Sequence, residues 1–146
     1  DVIEEAIPLC KETIQKVIEN IQPFALKIKK PIYAPPHKPT SMIWQTFKEE
    51  GEFTHLASEM FQAFQTLAEE NPNAFPGLEE SISHKIFPHI TLARFKNWIP
   101  PQKLVPLGKT GLERSMLTVN STQLIESKLT AEGSIFKVLE EFPLEP

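Results

Sequence analysis

Residues 87–95, FPHITLARF, are the most informative stretch of the sequence. Their polar and apolar residues alternate, which predicts a β-strand. Alternation puts His89 and Thr91 on one face and Ile90 and Leu92 on the other. We expect the apolar pair to anchor the strand on the core. An imidazole that can move a proton then projects beside a hydroxyl that can bind a phosphate oxygen. Alone, a His-x-Thr triplet is a weak signal, since an inert histidine on a sheet face gives the same pattern.

The rest of the chain alternates between helical stripes and runs of strand-forming residues. Apolar residues at spacings of three and four predict helices over residues 2–20, with a break near Pro8, and over 53–68. Strand patterns occupy residues 24–31, 41–47, 117–129 and 134–142. The first two strands flank a proline-rich loop and the last two flank a turn, so each pair predicts a hairpin. Helices mixed with hairpins indicate an α+β fold.

Bulk composition limits the classes of protein. The 146 residues, 40% of them apolar, predict one compact domain over residues 1–146. A net charge of −4 gives no overall basic field, so any contact with RNA must be local. Cys10 is the only cysteine, which excludes an internal disulfide and favours a cytoplasmic protein. No apolar run is long enough for a membrane span, and Cys10 itself fits a buried apolar position in the first helix.

Several segments of the chain resemble those of a known family. PHITLAR, residues 88–94, is similar to the second His-x-Thr motif of the RNA 2′,3′-cyclic phosphodiesterases, the 2′-5′ RNA ligase-like members of the 2H phosphoesterase superfamily. KPIYAPP at 30–36 and MIW at 42–44 resemble the family's hairpin before its central helix, and residues 124–144 resemble its closing hairpin. The resemblance implies a bilobal α+β fold with antiparallel sheets, helices packed outside and a central cleft.

One departure from the family concerns its first His-x-Thr motif, which the chain does not contain. His37, His55 and His84 are followed two residues later by Pro, Ala and Ile. We expect that an N-terminal segment carrying the motif is missing from the sequence shown, with a half-site protein as the alternative. Lys85 also stands where the family commonly has Arg, which keeps the charge without the bidentate fork.

Five residues are candidates for the site. The resemblance implies that His89 is catalytic, that Thr91 acts with it, and that Arg94 contacts phosphate. Strict alternation puts Arg94 opposite His89, so this contact requires a bulge or the end of the strand, and a solvated charge is the alternative. Tyr33 and Trp44 could stack on a base, although packing in the core or at its rim is the stronger expectation.

The reaction implied by the resemblance is hydrolysis of an RNA-terminal 2′,3′-cyclic phosphate to a 2′-phosphomonoester by paired histidines. His89 would be the base, although the sequence does not decide which histidine is the acid, and reversible 2′-5′ ligation would use the same groups. The sequence offers no metal-ligand spacing and no Gly-rich phosphate loop, so we expect a metal-free site without a cofactor. The expected partner is an RNA end or cyclic nucleotide, bound by a monomer with no obligate protein partner. The alternatives are a non-catalytic RNA-end or nucleotide-binding module and a purely structural domain.

Overall fold

The computed structural model describes residues 4–36, 39–75, 86–109 and 111–145. Two α-helices and six strands occur in this part of the chain, together with 3₁₀ turns at Glu4–Ala6 and Pro101–Lys103. Their order is α1 (Ile7–Ile18), β1 (Phe24–Ala34), β2 (Thr40–Lys48), α2 (Glu52–Glu70), β3 (His89–Ile99), β4 (Met116–Val119), β5 (Ser121–Thr130) and β6 (Gly133–Pro143). The α+β class is therefore confirmed.

The helices follow the stripes expected from the sequence. Pro8 lies in the first turn of α1, where its missing N–H has no partner within the helix to lose. Cys10, Ile14 and Ile18 are buried at intervals of four residues, as one face of a helix requires. In α2 the buried residues are Leu67 and Ala68, whereas Phe61 and Phe64 of the same apolar stripe are half-buried.

The chain divides into two compact units, each assembled from separate stretches of sequence. The helix unit comprises Asp1–Phe24, Thr54–Ile86 and Val119–Pro146, and the sheet unit comprises Ala25–Phe53 and Phe87–Thr118. In the helix unit, α1 and α2 share a buried cluster, which also receives Leu124 of β5 and consists of Ala6, Cys10, Leu67, Ala68 and Phe75. The predicted central cleft depends on how the units are arranged, and it stays a prediction.

Both predicted hairpins are confirmed. β1 pairs antiparallel with β2 in a four-stranded sheet of order β3-β2-β1-β4, and β5 pairs antiparallel with β6 in a two-stranded sheet. The turn into β6 uses Gly133 at a φ of 134°, a backbone angle that residues other than glycine rarely adopt. The single strand expected over residues 117–129 is wrong, because β4 ends at Val119 and β5 belongs to the other sheet.

The core of the sheet unit differs from the prediction. Ile90 and Leu92 are 48% and 53% exposed, so they do not anchor β3. Alternation determines which residues share a face of a strand, but it does not determine what covers that face. Burial in the sheet unit is instead concentrated on β1 and β2, at Leu26, Ala34, Thr40, Gln45 and Phe47.

Thr40 and Gln45, the buried polar residues among those described in the sheet unit, donate side-chain hydrogen bonds to the backbone. The Thr40 hydroxyl donates to the Ala34 carbonyl oxygen at 2.5 Å, and the Gln45 side-chain amide donates to the Thr46 carbonyl oxygen at 2.9 Å. These bonds offset the loss of hydration at both side chains. Within the described residues, neither helix is long and apolar enough to cross a lipid bilayer.

Candidate active site on the sheet unit

The register between β2 and β3 contains a bulge. The opposed residues are Thr46 and His89, Trp44 and Thr91, Ile43 and Ala93, and Met42 and Arg94. Between Trp44 and Ile43, β2 advances by one residue while β3 advances by two. Leu92 is therefore an extra residue without an opposed partner, and it reverses the alternation of β3.

Because of the bulge, His89, Thr91 and Arg94 lie on one face of the sheet. β2 is regular from residue 42 to 48 on its side of both pairings, so its even-numbered residues share this face. The Arg94 guanidinium Nη1 donates to Met42 Sδ at 3.1 Å, a contact that requires both side chains on the same side. We call this surface the histidine face and define it by Met42, Trp44, Thr46, Lys48, His89, Thr91 and Arg94.

The His89 ring is exposed and contacts two residues, Phe87 and Trp44. Its Nδ1 lies 3.1 Å from the Phe87 carbonyl oxygen. A carbonyl only accepts, so Nδ1 carries the hydrogen and donates, and Nε2 of the neutral ring keeps its lone pair. The ring centroid lies 4.3 Å from that of Trp44 at 34° and 5.1 Å from that of Phe87 at 38°. These contacts fix the ring while leaving it accessible to a substrate.

Thr91 lies directly opposite Trp44 and is half-buried. It is two residues from His89 with no bulge between them, so both side chains project in the same direction. The exposed Arg94 lies opposite Met42, which is the next residue of β2 on this face after Trp44. A proton-transfer group, a hydroxyl and a guanidinium thus stand in sequence along a single strand, an arrangement that suits a phosphate with two or more free oxygens.

The structure separates the two aromatic candidates. Trp44 is half-buried on the histidine face and packs against His89 and Phe87. Its indole Nε1–H is buried and has no hydrogen-bond partner among residues 4–36, 39–75, 86–109 and 111–145. Tyr33 lies opposite Ile43 and therefore on the other face, where its hydroxyl donates to the Val105 carbonyl oxygen at 2.8 Å. Trp44 belongs to the candidate site, and Tyr33 does not.

The described residues contain one other histidine. His55 belongs to α2 of the helix unit, with its Nδ1 3.9 Å from Glu59 Oε1. His37, His84 and Lys85 fall outside the described residues. The described part of the chain contains no group of three or more His, Cys, Asp or Glu side chains arranged to hold a metal ion.

A cavity of about 680 Å³ in the helix unit is lined by α1, α2 and the residues that follow them, and it includes none of the candidate site residues. Two of its lining residues, Lys16 and Glu12, form an ion pair of 2.7 Å. The hydrogen bond from Lys16 lowers the pKa of the Glu12 carboxyl, with the positive charge adding to it. An exposed pair of this kind at a spacing of four residues stabilises a helix and does not indicate chemistry.

Sequence reasoning missed three members of the histidine face. Met42, Thr46 and Lys48 share the histidine face, although only Trp44 was singled out on β2. Alternation along β2 could have grouped these four residues, because the strand has no bulge in this stretch. Only the register could have shown that the group faces the same side as His89.

The fold and the histidine face define an α+β protein that presents histidine, threonine and arginine on one face of an antiparallel sheet. The crystal structure of TT0787 from Thermus thermophilus is similar to the whole chain, with a TM-score of 0.76 and 26% sequence identity. The similarity covers 99% of this chain and 73% of the Thermus chain. No protein-family model and no curated protein sequence matches the chain.

Proposed function

We propose that this protein hydrolyses 2′,3′-cyclic phosphates at RNA ends to 2′-phosphomonoesters. The observation that supports the proposal is the bulge at Leu92, which gathers His89, Thr91 and Arg94 on one sheet face. Strict alternation would have separated Arg94 from the other two. Bulges occur frequently next to active sites, where they redirect a side chain.

In the proposed mechanism His89 is the general base. The Nδ1–H donates to the Phe87 carbonyl, so Nε2 of the neutral ring can take a proton from the attacking water. In-line displacement also needs an acid at the leaving 3′ oxygen. The family resemblance assigns that role to the histidine of another His-x-Thr motif, which these 146 residues do not contain.

Thr91 and Arg94 would hold the non-bridging oxygens of the phosphate. Negative charge grows on these oxygens as the pentavalent transition state forms, so donors that already point at them lower the barrier. Arg94 contributes a fixed positive charge and a planar donor group. Trp44 would keep the His89 ring in position rather than stack on a base, since its ring already contacts the imidazole.

The proposal needs no metal and no cofactor, because acid, base and charge stabilisation all come from side chains. The same groups would permit the reverse reaction, joining of RNA ends through a 2′-5′ bond. We further infer a monomeric, cytoplasmic protein that contacts RNA locally, without an overall basic field. The cytoplasmic location is consistent with Cys10 as the single, buried cysteine.

Turnover of a 2′,3′-cyclic nucleotide by the full-length protein tests the proposal. His89→Ala should lower kcat by about 10²- to 10⁴-fold, the usual contribution of a general acid or base. The melting temperature should hardly change, because His89 is exposed. His55→Ala is the matched control, since this exposed histidine lies in the helix unit.

Three results would reject the proposal. Near-normal turnover by the His89→Ala variant would exclude a catalytic role for this histidine. Loss of activity in EDTA would show that a metal site had been mistaken for histidine catalysis. Binding of the cyclic nucleotide by the wild-type protein without turnover would favour the non-catalytic binding module.

A further inference from the structure

The two units carry charges of opposite sign. The ranges of the sheet unit contain ten Lys and Arg against four Glu, a net charge of +6. Those of the helix unit contain five basic against fifteen acidic residues, a net charge of −10. The overall charge of −4 therefore conceals a basic unit, and that unit carries His89.

Several of these cations are grouped beside His89 on the same side of the sheet. Lys48 is on the histidine face, one row beyond the opposed pair of Thr46 and His89. Lys27 of β1 lies directly opposite Lys48 and so shares its face. We call Lys27, Lys29, Lys30 and Lys48 the lysine strip.

Lys29 and Lys30 join this group through a second bulge. The register of β1 passes from Ile28 opposite Phe47 to Pro31 opposite Gln45, so both lysines lie opposite Thr46. Hydrogen bonds hold the bulge in place, since the Thr46 hydroxyl donates to the Lys30 carbonyl oxygen at 3.2 Å and the Gln45 amide donates to the Lys29 carbonyl oxygen. All four lysines are exposed.

This arrangement is unfavourable for folding. Like charges directly opposite each other destabilise a sheet, and Lys27 opposes Lys48 with Lys29 and Lys30 beside them. The Glu50 carboxylate lies 3.8 Å from the Lys48 ammonium, but both side chains are largely exposed, at 80% and 64%. An ion pair of this kind contributes little. An anionic ligand would remove the repulsion.

We propose that the lysine strip binds the backbone phosphates of an RNA strand next to the cyclic end that occupies the histidine face. The inference rests on the proposed function and specifies its substrate as a single-stranded oligoribonucleotide rather than a cyclic mononucleotide. Lys27 lies about 7 Å from the His89 row along the strands and about 10 Å across two strand spacings. A bound cyclic phosphate does not reach that far, whereas neighbouring nucleotides of a strand do.

Binding of a fluorescein-labelled oligouridylate with a 2′-phosphate end, the product of the proposed reaction, followed by anisotropy across a salt series, tests the proposal. Removing two phosphate contacts should flatten the plot of log Kd against log salt by about 1.4, at about 0.7 for each contact with a single strand. We therefore expect this change for Lys27→Gln combined with Lys48→Gln. The matched control is Lys128→Gln combined with Lys137→Gln, which removes the same charge from exposed positions of β5 and β6.

Stability and turnover provide the second readout. The Lys27 and Lys48 variant should melt no lower than the wild type, because it loses a repulsive pair. Its kcat/KM should fall further for the oligonucleotide than for the cyclic mononucleotide. Equal salt slopes for the two double variants would overturn the lysine strip, as would equally tight binding of the wild type to anionic phospholipid vesicles. Failure of the proposed function would be recognised by a different result, namely that the wild type turns over neither substrate.

Discussion

Arg94 gives the sharpest test of the candidate site, because its contribution depends on the bulge at Leu92. If Arg94 donates to the phosphate, Arg94→Ala removes a hydrogen bond to a charged group, worth about 1.5–3 kcal/mol. At about 1.4 kcal/mol for each factor of ten, kcat/KM should fall about 10- to 150-fold. Arg94→Lys should recover only part of this loss, since an ammonium cannot form the planar fork.

Deleting Leu92 tests the bulge itself. Without the extra residue β3 returns to strict alternation, and the four steps that then separate His89 from Arg94 keep both side chains on one face. We therefore expect kcat/KM to fall less than in Arg94→Ala, which removes the guanidinium altogether. The direct loss of packing should be small, because Leu92 is 53% exposed and makes no opposed pair.

The assay is the initial rate of hydrolysis of a 2′,3′-cyclic nucleotide, measured with circular dichroism on each variant. Arg114→Ala is the matched control, because Arg114 is the other arginine of the chain and is also exposed. A loss of turnover as large as in Arg94→Ala, in a Leu92 deletion variant with a native spectrum, would refute the argument that the register keeps Arg94 on the face of His89. A loss in Arg114→Ala as large as in Arg94→Ala would reduce the effect to the net charge of the sheet unit.

Three further predictions concern Thr91, Cys10 and a pair of phenylalanines. Thr91→Ala should lower kcat/KM by about 2- to 13-fold, since one neutral hydrogen bond is worth about 0.5–1.5 kcal/mol; an effect as large as that of removing the catalytic histidine would give the hydroxyl a different role. Burial raises the pKa of the Cys10 thiol, so the native protein should react slowly with a thiol reagent at pH 8. The unfolded protein should react quickly in denaturant, and equal rates for the two states would contradict the burial of Cys10. Phe142→Ala should lower the free energy of unfolding by about 3–5 kcal/mol, because Phe142 is only 3% exposed. Urea melts should show a much smaller loss for Phe136→Ala, because Phe136 is 68% exposed, and equal losses would be inconsistent with these exposures.

Short-range periodicity in the sequence was enough to predict much of the fold. The stripe in α2, the burial of Cys10 on α1 and the β5–β6 hairpin all depend on residues a few positions apart, whose geometry the local backbone determines. The same reasoning put His89 and Thr91 on one face, because no bulge lies between them. The boundary between β4 and β5 escaped it, since both strands have similar composition.

What periodicity could not predict depends on pairing between distant strands. The face of Arg94 follows from one unpaired residue, Leu92, and only the register against β2 identifies that residue. Register also separates Tyr33 from Trp44, because opposed residues share a face and Tyr33 opposes Ile43.

Charge follows the same division between sequence and structure. The sequence determined a net charge of −4, from which we expected no overall basic field and only local contact with RNA. Only the tertiary structure brings Lys27 opposite Lys48 on the His89 side of the sheet. It also collects a net charge of +6 in the ranges of the sheet unit. The physical reason is that composition sums charges over the whole chain, whereas an electrostatic field acts over about 10 Å and depends on which segments the fold brings together.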